Sequence, residues 1–171
     1  LNQGNNILPN QSNIIVNTDT REQLAAVYHA NCKDIWIICH EGGKNVAANN
    51  NYLAYLLTDQ GSQMSPVVSS VGMTYSGGNR YGAIKSNKSG DQLCSALGGT
   101  SNGTTVELLD FDNATGVISN PVVIADNSQA ATVYSSEFSP DGTKLYVTAY
   151  NQGYIFQYDI TSGNSGTIMA S

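Results

Sequence analysis

Charge is what this sequence has least of. Charged residues make up 12% of its 171, seven basic against thirteen acidic, for a formal net charge of -6. A nucleic-acid-binding domain carries a basic patch or stripe. Lys85 with Lys88 is the nearest approach to one, and it reads as a solvated turn. Nucleic acid and anionic membrane surfaces are therefore poor partners. Long apolar runs are missing too. None reaches the ~18 residues of a membrane span, so no membrane insertion is expected. No apolar i, i+3, i+4 pattern continues beyond two turns, so no helix is expected either. Cysteine is scarce and odd in number: Cys32, Cys39 and Cys94. With residues 30–40 as a turn and a strand, Cys32 and Cys39 stand roughly 20 Å apart at ~3.3 Å per residue. A disulfide needs Cα atoms within about 7 Å, so free thiols are expected.

What is present is uncharged and polar. Asn, Ser, Thr and Gly recur throughout, and Tyr, with ten copies, is the main aromatic residue. This composition suits a secreted β-protein. The length suits one domain, and the first residue, Leu1, suggests a processed chain or a fragment.

The chain repeats itself. "HANCKDIWIICH" (29–40) aligns with "SPDGTKLYVTAY" (139–150), setting His29 on Ser139, Asn31 on Asp141, Cys32 on Gly142 and Ile35 on Leu145. A middle copy, "SNKSGDQLCSAL" (86–97), fits with one extra turn residue. "NYLAYLLTDQG", "TVELLDFDNATG" and "YIFQYDITSG" repeat a later strand and its turn. "SPVVSSVG" and "NPVVIADN" repeat an outer strand with an early proline, which an edge strand tolerates.

Each unit reads as four antiparallel strands. The first holds Gln23–His29, Ile35–His40, Tyr52–Thr58 and Val67–Val71. The second holds Tyr81–Lys85, Leu93–Leu97, Thr105–Phe111 and Val117–Ala125. The third holds Val133–Phe138, Lys144–Tyr150, Tyr154–Ile160 and a stub at Gly166–Ala170. Asn13–Asn17 reads as the last strand of a preceding unit. The expected divisions are 1–20, 21–72, 73–127 and 128–171. The fold class is all-β, about three four-stranded blades of a β-propeller and so part of a larger ring, since propellers close with four to eight blades.

"EFSPDGTKLYVT" resembles the repeats of seven-bladed surface-layer and lactonase-like propellers. Residues 19–163, with "TREQLAAVYHANCKDIWIICHEGG", "PVVSSVG", "VELLDFDNATGVISNPVVI" and "VYSSEFSPDGTKLYVTAY" in that order, are similar to propeller regions of large secreted surface proteins of gliding-type bacteria that use type IX secretion. That resemblance implies a noncatalytic adhesion module at the cell surface. It also implies that the rest of a longer propeller chain, or a complementing subunit, completes the ring. Two departures stand out: Cys32 where the family's turn usually has Gly, and no sorting domain.

Candidate sites are few. His29, Cys32, Cys39, His40 and Glu41 are zinc-type residues within thirteen positions. Adjacent Cys39 and His40 point to opposite faces, so no metal is expected there. His29, His40 and Glu41 stand as ligand contacts, with inter-strand hydrogen bonding as the plainer role for the histidines. "DFDNATG" (110–116) is not a calcium loop, because position 5 is Ala114 and no glutamate follows at 12. Its Asp112 is expected to bond turn amides and its Gly116 to take a positive φ. "SPDGTK" lacks the glycines and following helix of a phosphate loop. No G-x-S-x-G elbow occurs, and no cofactor is expected. The sequons at Asn10, Asn87, Asn102 and Asn113 read as chance in an Asn-rich chain.

Glu137, at the end of an innermost strand, is the best acid–base candidate. Three functions follow. The first is a binding scaffold for a glycan or protein; the second is a lactonase- or lyase-like enzyme with acid–base groups in its channel; the third is an architectural spacer.

Overall fold

The computed structural model describes residues 14–42, 46–75, 81–98, 104–126, 132–150 and 152–171. Three antiparallel sheets follow one another along the chain. The first contains β1 (Thr20–Tyr28), β2 (Ile35–Glu41) and β3 (Asn49–Thr58), with β4 (Gly61–Ser62) and β5 (Val67–Tyr75) both paired to the far side of β3. The second is β6 (Tyr81–Ser86), β7 (Gln92–Gly98), β8 (Thr105–Asp112) and β9 (Val117–Asp126). The third is β10 (Val133–Phe138), β11 (Lys144–Ala149) and β12 (Tyr154–Asp159), followed by α1 (Ser165–Met169). Apart from β4 and β5, which both pair with β3, strands adjacent in sequence within a sheet are adjacent in space, so the turns between them decide the register.

The turn after each inner strand is the same object three times. His29 N–H donates to the Asp34 carbonyl at 2.9 Å, Asn87 to Gln92 at 3.0 Å and Ser139 to Lys144 at 2.9 Å. Inside each turn, Cys32 N–H donates to the His29 carbonyl, Gly90 to Asn87 and Gly142 to Ser139. The extra residue expected in the middle copy is therefore absent. Asn87, not Ser86, is the equivalent of His29, and all three turns have one length. The third residue on has a positive φ in every copy: Cys32 at 57°, Gly90 at 74° and Gly142 at 71°. Glycine adopts that conformation freely and cysteine does not.

Burial separates the blades. In β7 every residue from Leu93 to Gly98 is buried, whereas β11 alternates, with Leu145, Val147 and Ala149 buried and Tyr146 and Thr148 exposed. The middle sheet is covered on both faces and loses its alternation; β11 is covered on one. Between the first two sheets pack Ala25, Val27, Trp36, Ile38, Tyr52, Ile84, Leu93, Leu109 and Ile118. Between the second and third pack Cys94, Ala96, Val106, Leu108, Ile124, Val133, Phe138, Leu145, Val147 and Tyr158. Trp36 locks the first junction: its Nε1–H donates to the Asn113 carbonyl at 2.8 Å, and its ring fills the place where a Cβ on Gly116 would stand 2.7 Å away.

Two expected strands do not form. Residues 14–17 of the expected Asn13–Asn17 strand are not extended ladder, and Asn13 lies outside the described residues. The segment instead covers the rear face of the first sheet. Val16 packs on Cys39, Leu53 and Tyr55, and Asn17 Nδ2 donates to the Tyr55 hydroxyl at 2.6 Å. The stub at Gly166–Ala170 lies in and around α1, so the expectation of no helix fails. Asn164 caps the turn through the Thr167 N–H at 3.1 Å. Coiling there places Ile168, at 0% exposure, in the core between the second and third sheets. It also lets Ser165 Oγ donate to the Val123 carbonyl and Ser171 Oγ accept the Asp159 N–H.

Replacing Cys32 by Gly removes left-handed strain and should raise stability by about 0.5–1 kcal/mol. Urea unfolding would show a higher midpoint with an unchanged slope. A lower midpoint would contradict the equivalence of the three turns.

Candidate functional site

The residues singled out in the sequence do not converge. His29 sits at the turn end of β1, where it stacks on Trp36 at 5.7 Å and its Nδ1 accepts the Asn31 N–H at 2.9 Å. His40 lies at the opposite end of the blade, since its neighbour Glu41 pairs with Thr20 at the start of β1. Neither histidine makes the expected bond between strands: His40 Nδ1–H donates to the adjacent Glu41 carbonyl at 2.7 Å. Glu41 Oε2 accepts from Asn51 Nδ2 at 2.7 Å. Cys39 and His40 do face opposite ways, Cys39 into the rear cluster and His40 onto Tyr52 and Tyr75. Cys32 is exposed, Cys39 and Cys94 are buried, and all three are free. Burial raises the Cys39 thiol to about 11 and Cys94 to about 12, so both are inert.

Glu137 is exposed and pairs with Lys85 of β6 at 3.3 Å. A second inner-strand carboxylate, Glu22, accepts the Tyr134 hydroxyl at 2.6 Å. The "DFDNATG" loop is a turn as expected: Asp112 Oδ1 accepts the Ala114 N–H at 3.0 Å, and Gly116 has φ 79°.

The polar cluster that does converge is buried between the first and second sheets. Glu107, on β8, has 1% exposure. Its Oε2 accepts the Tyr75 hydroxyl and its Oε1 the Met73 N–H, both at 2.9 Å. Gly72, at φ 78°, turns the strand so that this amide faces the carboxylate; a Cβ there would stand 3.0 Å from both oxygens. The Tyr75 hydroxyl also lies 3.4 Å from that of Tyr52 and 3.5 Å from Ser95 Oγ. Gln23 Nε2 donates to Ser95 Oγ at 3.2 Å and to the Ala96 carbonyl at 3.1 Å. At the other end of Tyr75, Arg21 donates to the backbone carbonyl at 3.0 Å, with its guanidinium 5.8 Å from the ring centre. His40 closes the cluster at 0% exposure, its ring 4.8 Å from Tyr52 and 4.4 Å from Tyr75.

The electrostatics are those of a sealed seam. Burial raises the Glu107 carboxyl, and the Tyr75 and Met73 hydrogen bonds only partly oppose it. Burial lowers His40 to about 4; the Glu41 carbonyl bond opposes this and the Arg21 charge adds to it. Tyr52 and Tyr75 are both raised by burial. Two surface cavities, of about 540 and 640 Å³, lie elsewhere: between the turns at Asn87–Asp91 and Pro140–Gly142, and on the rear of the first sheet beside Val16, Ile35 and Leu57. Among the described residues nothing gathers three metal-type ligands. The cluster can tie two blades together; it offers no entry for a substrate. Sequence reasoning passed it over, although the glutamate in "TVELLDF" and the glycine in "SSVGMTY" both break apolar strands and mark it.

The seam has a pH signature. His40 is depressed in the fold, so its contribution is full above the unfolded value near 6.5 and is lost as pH falls toward about 4. Glu107 is raised, so it acts oppositely, with stability lost as pH rises through its folded value. The variant His40→Phe keeps the ring contacts. Between pH 6.5 and 4 its melting temperature should fall less than the parent's. Parallel curves would contradict the buried neutral imidazole.

No family model and no curated protein matches this sequence. Among solved structures, a candidate 6-phosphogluconolactonase from Bacteroides fragilis matches with a TM-score of 0.55 at 11% identity, over 82% of this chain and 35% of that one. A hydrazine synthase from Kuenenia stuttgartiensis matches with a TM-score of 0.48 at 16% identity, over 80% of this chain and 38% of that one. The chain thus spans about a third of the lactonase-like structure. At this identity the likeness bears on fold alone, and the fold is a β-propeller segment of antiparallel blades.

Proposed function

We propose that this chain is part of a larger β-propeller in a secreted, surface-displayed bacterial protein, and that it serves as a noncatalytic binding scaffold for a glycan or a protein. Further blades, from the rest of a longer chain or from a complementing subunit, complete the ring. One observation carries the reading: the surface is tyrosine-rich. Tyr28, Tyr81, Tyr134, Tyr146, Tyr150 and Tyr154 are all exposed. Tyrosine gives a large amphipathic contact at low entropic cost. The partnered state of the inner-strand carboxylates supports the same reading. Glu22 and Glu137 each hold a neighbour.

The lactonase-like neighbour favours a second reading, hydrolysis of a sugar lactone with Glu22 or Glu137 as the acid–base group. One paired assay separates the two. The binding reading expects retention on a glycan array or an immobilised protein ligand, and no hydrolysis of 6-phosphogluconolactone above the uncatalysed rate. Hydrolysis that Glu137→Gln or Glu22→Gln abolishes would replace it with the enzyme reading. Failure to retain either kind of ligand would leave only a spacer.

A further inference from the structure

We infer that the inner-strand surface around Glu22, Tyr134 and Tyr150 is a binding site for a neutral saccharide. The inference rests on the scaffold reading above and gives it a place and a ligand class.

The site is assembled across three blades. Glu22 is on β1 of the first sheet, and Tyr134 is on β10 of the third. They meet because the inner strand between them, β6, is nearly bare at this level. Gly82 there carries no side chain, and a Cβ would sit 2.0 Å from the Ala96 carbonyl oxygen. The next residue is the small Ala83. Tyr134 can therefore reach past β6 and donate its hydroxyl to Glu22 Oε1 at 2.6 Å. The bond raises the Tyr134 phenol, so its proton stays on oxygen. Behind it stands Tyr150, with ring centres 6.4 Å apart and planes tilted by 39°. The Tyr150 N–H is fixed to the Thr132 carbonyl at 2.8 Å.

Stability alone does not account for this arrangement. An exposed polar pair contributes little to folding. Tyr150 is 71% exposed and Tyr134 41%, so Tyr150 buries little of its ring and Tyr134 keeps a large part of its ring open. The result is two tilted aromatic faces beside a carboxylate whose second oxygen has no hydrogen-bond donor among the described residues. Flat apolar faces suit the C–H faces of a sugar ring, and a carboxylate oxygen accepts its hydroxyls.

Charge sets the ligand class. Glu22 and Glu137 make the inner surface negative. Its cation Lys85 is held by Glu137 at 3.3 Å, and Arg21 is buried beside Tyr75. A phosphorylated or acidic sugar would meet repulsion, with no unpaired cation on this inner surface among the described residues to bind its anion. A neutral sugar meets none.

The test uses the chain titrated with neutral oligosaccharides built on glucose, galactose and N-acetylglucosamine, and with 6-phosphogluconate, by calorimetry and proton NMR. At least one neutral sugar should bind and shift the Tyr134 and Tyr150 ring signals. Its affinity should fall about tenfold in Tyr150→Ala and in Glu22→Gln, the loss of one good contact. Both residues are exposed, so the variants should melt like the parent. Sugar binding that both variants leave unchanged would overturn the site while the scaffold reading stands. Tighter binding of 6-phosphogluconate than of any neutral sugar would overturn the ligand class. Retention of a protein ligand with no sugar bound would overturn the saccharide inference and keep the scaffold.

Discussion

The structure depends on one constraint: a blade in a stack has two faces, and the apolar side chains on either have to be covered. The middle blade meets this condition. Leu93 and Leu109 point into the first junction, and Cys94, Ala96, Val106 and Leu108 into the second. Burying such side chains yields about 1.5–3 kcal/mol each for the larger ones, so stacking, not hydrogen bonding within a sheet, supplies most of the stabilisation. The end blades meet the condition halfway. The first borrows residues 14–17 for part of its rear face, whereas α1 packs into the junction with the second sheet and not onto the third blade's outward face. Leu24 and Ile155, on the outward faces of those two blades, are 63% and 70% exposed among the described residues.

Polar groups enter the junctions only where they are bonded. A buried carboxylate is costly unless donors hold it. Glu107 has two, and a glycine with positive φ is needed to aim one of them. The seam from Arg21 to His40 therefore fixes how the first two blades sit against each other, while Trp36 and Asn113 do so at the opposite end. The surfaces the stack presents carry exposed tyrosines and the partnered inner-strand carboxylates Glu22 and Glu137.

Much of this was legible in the sequence. The Pro140–Gly142 turn announces itself by residue type, and aligning its copies sets Cys32 on Gly142, whose positive φ it shares. The strands followed from short β-branched and aromatic runs between such turns. The error in the middle copy came from one residue of register, which "SNKSGD" does not fix by composition. α1 was missed because "SGTIM" has no helical periodicity and weak propensity; an Asn cap and one buried isoleucine decide it. The buried seam was missed for a different reason. Its members, from Arg21 to Glu107, are far apart in sequence and come together only when two blades stack. His29, His40, Glu41 and Glu137 drew attention by residue type, but residue type carries no information about which end of a blade a side chain occupies.

Backbone amide hydrogen exchange, read strand by strand, tests the dependence on two-sided burial most directly. The account predicts that β7 and β8 exchange slowest, that β2 and β3 follow, and that β12 exchanges fastest despite its complete pairing to β11. Equal protection of all three blades, or a third blade more protected than the second, would contradict it.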